Sequence, residues 1–275
     1  MRAHLSQPIR AIATGGSGAT LLTLKVYSST VICRVYGLYD ALHDTLVFAQ
    51  FCTSHASQQV VEMAMKNKED IVKDWLPRYT GTELGDFGEY ILLTNFHDYV
   101  NRFAERFGVE VLGGGGPMQT ATSDNITMIN FGMGSPQAAT VMDLLSAVSP
   151  KAALFLGKCG GLKEKISVGD LILPIAAIRG EGTSSDYLPK EIPALPSFRL
   201  QTAVSHSIRK YEQDYWTGTV YSTNRRVWEH DGEFREYLRR ARASAIDMET
   251  ATIFTVGFVN KIPHGALLYP CSRTG

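Results

Sequence analysis

From Glu69 onward, short apolar runs alternate with stretches whose apolar residues recur every three or four positions. Glu69 to Leu76 predicts an amphipathic helix stopped by Pro77, and Asp98 to Phe107 predicts another, with Phe103 and Phe107 one turn apart. Ile126 to Phe131 is a short β-rich run, read as a buried strand. It enters Gly132-Met133-Gly134-Ser135-Pro136 and then a helix from about Gln137 to Val148, with Ser135 suited to the N-cap and Pro136 to the first turn. Ala152 to Leu156 predicts a strand ending in Gly157-Lys158-Cys159-Gly160-Gly161, and Asp170 to Ile178 predicts another. Pro189, Pro193 and Pro196 mark an irregular crossing, and Gly113 to Gly116 before Pro117 a loop. Further on, helices are predicted at Gln201 to Tyr211, Glu233 to Arg242 and Glu249 to Phe258. Strands are predicted at Thr217 to Ser222, Ser244 to Ile246 and Gly265 to Tyr269. Strands alternating with helices predict a three-layer α/β domain with a central sheet flanked by helices.

Residues 1–64 read differently. They hold only Arg2, Arg10, Lys25 and Arg34 against Asp40, Asp44 and Glu62, and charge density rises sharply at Met65. The expected organisation is therefore an extension over 1–64 and a globular catalytic domain over 65–275. The acid-poor, Ser/Thr-containing stretch before Asp40 faintly suggests a transit peptide; an upstream leader without a fold role is the preferred reading. Gly15-Gly16-Ser17-Gly18 lacks the Gly-Lys-Ser/Thr ending of a phosphate loop and reads as a turn.

Composition narrows the function. The 275 residues carry 27 basic and 27 acidic side chains, which argues against a nucleic-acid binder. No apolar stretch approaches the roughly 18 residues of a membrane span. Cys33, Cys52, Cys159 and Cys271 show neither CxxC nor Cys/His ligand spacing, so no disulfide framework and no metal site is expected. A cytoplasmic setting follows by default.

Three segments carry candidate chemistry. The turn with Gly132, Gly134 and Ser135, between strand and helix, brings backbone N–H groups and a helix dipole to one point, as an anion requires; a ligand-free turn is the plain alternative. Lys158 stands at a strand end, where α/β sheets gather ligands, or is a solvated lysine. Cys159 reads as a small buried residue. Asp247-Met248-Glu249 places carboxylates between strand and helix, where one can accept hydrogen bonds from a vicinal diol, or simply favour the helix dipole.

Taken together and in order, these segments resemble the purine nucleoside phosphorylase and nucleosidase superfamily, and within it the AMP nucleosidase branch in its short form. The matching text includes Gly157-Lys158-Cys159-Gly160-Gly161-Leu162, Leu188-Pro189-Lys190-Glu191-Ile192-Pro193, Ala245-Ile246-Asp247-Met248-Glu249, and Gly265-Ala266-Leu267-Leu268, within about Met65 to Leu268. The resemblance implies a mixed central sheet and hydrolysis of AMP to adenine and ribose 5-phosphate. It implies no cofactor, a homo-oligomer, and a purine nucleotide as partner. It puts Met248 and Glu249 on the ribose, Gly132, Gly134, Ser135 and Lys158 on phosphate, and Arg179, Tyr187, Arg226 and Trp228 on the base. The family's general-acid Asp is expected after the last Leu-Leu pair; no Asp follows Leu268, so the catalytic acid is unassigned and the C-terminal part of the fold is expected to be missing. The alternatives are a nucleoside phosphorylase or other purine nucleosidase, and an inactive nucleotide-binding fragment.

Overall fold

The computed structural model describes residues 67–273 and the strand backbone at 9–15, 18–27 and 30–36. The chain divides into two compact units, Met1–Lys66 and Asn67–Gly275. In the first, β1 (Ile9–Gly15), β2 (Gly18–Tyr27) and β3 (Thr30–Tyr36) form an antiparallel sheet in sequence order. The β1–β2 register ends with Gly15 opposite Gly18, and residues 16 and 17 lie outside the described residues.

The second unit is built on an eight-stranded mixed sheet. Its strands are β4 (Tyr90–Thr94), β5 (Gln119–Ser123), β6 (Ile126–Asn130), β7 (Ala152–Gly161), β8 (Ile172–Gly180), β9 (Trp216–Thr223), β10 (Ala245–Asp247) and β11 (His264–Arg273). Their order is β10-β9-β8-β11-β7-β4-β6-β5. β10 pairs in parallel with β9 and also antiparallel with the end of β7, through Ala245 opposite Gly161 and Ile246 opposite Gly160. That second pairing closes β7, β11, β8, β9 and β10 into a ring, with β4, β6 and β5 as a wing.

The helices are α1 (Lys68–Thr80), α2 (His97–Phe107), α3 (Ser135–Leu144), α4 (Phe198–Lys210), α5 (Gly232–Arg240) and α6 (Thr250–Val259). Strand alternation assigns them to faces. On β4, Ile91 and Leu93 join the core under α1, α3 and α6, while Leu92 packs with Val100 and Phe103 of α2. On β7, Ala153 and Phe155 join the first core, and Leu154 packs with Val204 and Ile208 of α4. The sheet is thus sandwiched between helices, as the three-layer reading expects. α6 is buried from Thr250 through Gly257, which suits an apolar helix enclosed on all sides.

Several local expectations change. α1 runs past Pro77 to Thr80, because the proline removes only one amide donor and the last turn still closes through the Gly81 N–H on the Pro77 carbonyl at 2.8 Å. The Gly157–Gly161 run is not a turn. It continues β7, and the absence of side chains permits this at Gly157, where a Cβ would fall 2.4 Å from the Phe155 ring. Ser135 is the first residue of α3 rather than its cap, and Gly134 holds the cap position. The last strand extends to Arg273 through an irregularity between Pro270 and Ser272.

Candidate active site

A cavity of about 310 Å³ opens where the carboxyl ends of β4, β7 and β10 meet the end of β11. Strand ends are where an α/β sheet offers backbone and side chains to a ligand. Because β7 continues through its glycines, its alternation persists to Gly161. Gly157, Cys159 and Gly161 are buried, and Lys158 and Gly160 are partly exposed on the opposite side. Burial pushes the Cys159 thiol well up, with Asp247 adding in the same direction, so it is a protonated packing residue.

Asp247 and Glu249 have different tasks although they are separated by one residue. Asp247 Oδ1 accepts from the Ser222 hydroxyl at 2.6 Å; Oδ2 accepts from the Thr250 amide at 2.8 Å and from its hydroxyl. These bonds tie β9, β10 and the start of α6 together. Burial holds the Asp247 carboxyl above its ordinary range, against the pull of its hydroxyl and amide donors.

Glu249 is 2% exposed and lies on the cavity wall. Its Oε1 accepts from the Gly134 amide at 2.7 Å and from Asn95 Nδ2 at 3.2 Å, and its Oε2 accepts from the Met248 amide at 3.1 Å. Burial first, and the neighbouring Asp247 charge second, push its carboxyl up to about 7, against those three donors. Near neutrality the group therefore exchanges between a carboxylate that only accepts hydrogen bonds and an acid that can donate one.

The structure brings Lys158, Met248, Glu249, Arg226 and Trp228 to one cavity. Of the glycine turn, Met133 reaches the wall. Gly132 donates to Asn130 Oδ1 at 3.2 Å, Gly134 donates to Glu249, and the Ser135 hydroxyl donates to Asn224 Oδ1. The donors expected to face phosphate are thus engaged by side chains of the protein. Arg179 and Tyr187 are not on the cavity. The Arg179 guanidinium donates to the carbonyls of Ser184, Leu188, Pro189 and Ile192, and so pins the proline-rich crossing. The Tyr187 hydroxyl donates to Asp143 Oδ2 at 2.6 Å.

Asn95 and Phe96 were not legible as site residues. They follow β4, a strand not anticipated from the pattern; reading Tyr90–Thr94 as a strand would have placed both at a carboxyl end. Asn95 bonds to Glu249, and the Phe96 ring centroid lies 4.1 Å from the Lys158 ammonium. Among the described residues no group of His, Cys, Asp and Glu is disposed to hold a metal ion, and no helix is long and apolar enough to cross a membrane.

A carboxylate between strand and helix, held by a glycine turn on the wall of a cavity at the mouth of a partly closed sheet, sets the chain among α/β proteins of the phosphorylase type. The chain belongs to the phosphorylase superfamily, which residues 82–270 match. Within that superfamily it is similar to the crystal structure of AMP nucleosidase from Bacteroides thetaiotaomicron VPI-5482, with 60% identity and a TM-score of 0.74, over 74% of this chain and 90% of that one. It is 28% identical over 240 residues to AMP nucleosidase of Escherichia coli K12, covering 70% of this chain and 49% of that protein, so it spans about half the length of this curated relative. A uridine phosphorylase structure from Vibrio fischeri ES114, at 24% identity and a TM-score of 0.65 over 70% of this chain and 82% of that one, shares the fold.

Proposed function

We propose that the chain cleaves the N-glycosidic bond of AMP with water, yielding adenine and ribose 5-phosphate. The observation that carries this reading is the Glu249 carboxylate, buried yet on the cavity wall and held by Gly134, Asn95 and Met248. The bond between C1′ and the base nitrogen breaks with its electron pair going to the base, and positive charge develops on the ribose ring. A carboxylate bound to the ribose hydroxyls stabilises that charge, and its fixed position avoids reorganisation during the reaction. Met248 packs against the sugar, and Trp228 and Arg226 face the base. Water then adds to C1′ and gives up a proton, while the departing base takes one.

Resemblance to the Bacteroides thetaiotaomicron AMP nucleosidase at 60% identity favours AMP over an unphosphorylated nucleoside, and hydrolysis over phosphorolysis. A homo-oligomer in the cytoplasm, serving nucleotide salvage, belongs to the same reading; light scattering and cell fractionation test it. The deciding assay incubates the full chain with AMP in phosphate-free buffer. Release of equal amounts of adenine and ribose 5-phosphate supports the reading. Base release only with added phosphate identifies a phosphorylase, and AMP binding without release identifies a nucleotide binder.

A further inference from the structure

We infer that Lys158 selects a 5′-phosphorylated nucleoside over the free nucleoside, and that the Phe96 ring is its seat. The inference rests on the AMP reading and names the residue that reads the phosphate. Two sets of groups compete for that role: the glycine turn and the cations of the cavity wall. The turn is committed elsewhere, because the Gly132 amide, the Gly134 amide and the Ser135 hydroxyl serve Asn130, Glu249 and Asn224. Of the cavity cations, Arg225 pairs with Asp231 at 2.8 Å and Arg226 faces Glu229 at 3.7 Å.

Lys158 differs from both arginines. Among the described residues no carboxylate lies within ion-pairing distance of its ammonium, which stands 4.1 Å from the Phe96 centroid and 5.8 Å from that of Tyr99. An aromatic face holds a cation in place without consuming its N–H donors as a carboxylate would. The ammonium is therefore positioned, with its donors left for a phosphomonoester. Asn95 and Phe96 are consecutive, one holding Glu249 and the other seating Lys158, so the end of β4 fixes the ribose carboxylate relative to the ammonium. Both groups line the same cavity, which a sugar held at Glu249 and its 5′-phosphate would share.

The test measures dissociation constants of AMP and adenosine by calorimetry on the full chain and on Lys158→Met, Lys158→Arg and Phe96→Leu, with thermal melting to establish folding. Losing a charge-assisted bond predicts that Lys158→Met weakens AMP about 10- to 100-fold and leaves adenosine nearly unchanged. Lys158→Arg keeps most of the preference, and Phe96→Leu loses part of it. An equal loss for both ligands in Lys158→Met, or no loss for AMP, overturns the inference. If Lys158→Met does not fold, the AMP-to-adenosine ratio of Phe96→Leu decides: an unchanged ratio overturns the inference and a reduced one supports it. The two readings separate cleanly. Hydrolysis of AMP with an unchanged preference in the variants leaves the proposed reaction standing and removes Lys158. A Lys158-dependent preference without hydrolysis does the reverse.

Discussion

The Gly134 amide donates to Glu249 Oε1 at 2.7 Å, joining a tight turn after β6 to the carboxylate that precedes α6. The turn adopts φ 97° and ψ 159° at Gly134, a region open almost only to glycine. An added Cβ would meet nothing closer than Pro136 Cδ at 3.8 Å, so the obstacle is the backbone angle and not space. Gly134→Ala is expected to cost about 1–3 kcal/mol of stability. It should also lower AMP hydrolysis more than it lowers melting temperature, because the amide that aims Glu249 moves. Melting curves and steady-state kinetics on the same preparation check both.

If Glu249 acts as proposed, its raised carboxyl gives the reaction a pH dependence with a definite sign. Its carboxyl is raised to about 7, so the accepting form grows in as pH rises through that value. Turnover at saturating AMP should climb from pH 6 to pH 8, and Glu249→Gln should be nearly inactive with a flat profile. Stability runs the other way. A carboxyl whose folded pKa is raised favours folding fully below its unfolded value near 4.5, and that contribution is lost as pH rises toward 7. Glu249→Gln should therefore melt progressively higher than the parent chain between pH 5 and pH 8. A melting difference that does not change with pH would contradict the assignment of the raised pKa to this residue.

Much of this frame was readable because it depends on local pattern. The run at Ile126 to Phe131, the helix over Asp98 to Phe107 and the strand-to-helix junction at Asp247 each appear where apolar spacing puts them. β5 was not readable, since Gln-Thr-Ala-Thr-Ser carries little apolar signal and gains its place by pairing with β6. The continuation of β7 was hidden by its glycines, which are turn formers in isolation and strand residues here because Phe155 and β10 crowd them. At the cavity, the resemblance pointed to Glu249 and Lys158, which both line it, but not to their partners. Asn95 lies 154 positions from Glu249 in the chain, and only the sheet order brings them together.

Arg179 tests whether the proline-rich crossing is held from within. Its guanidinium caps carbonyls at Ser184, Leu188, Pro189 and Ile192, and a lysine ammonium cannot reproduce that fork. Arg179→Lys is expected to expose residues 184–192 to limited proteolysis while changing AMP affinity less than Glu249→Gln does. A selective loss of adenine recognition in this variant, with the loop still protected, would return Arg179 to the base.

Tyr187 should behave as an anchor as well. Its hydroxyl meets Asp143, whose other oxygen takes Lys68 and Asn260, so the crossing is tied to α3, α1 and the end of α6. Tyr187→Phe removes one hydrogen bond to a charged acceptor and is expected to cost about 1.5–3 kcal/mol at most, with turnover unchanged. Chemical denaturation and turnover measured together separate this anchoring role from base contact.

Asp247→Asn probes the coupling between the two carboxyls. The Asp247 charge is the second cause, after burial, of the raised Glu249 pKa. Removing it should move the midpoint of the pH–activity profile to lower pH without abolishing the profile, because burial of Glu249 remains. The same change replaces one acceptor oxygen by an N–H₂, so at least one of the donors from Ser222 and Thr250 loses its acceptor in the core. The expected cost is about 1–3 kcal/mol, the penalty for an unsatisfied buried polar group. Loss of stability with an unmoved midpoint would mean that Asp247 is neutral in the folded chain and acts on Glu249 through position alone.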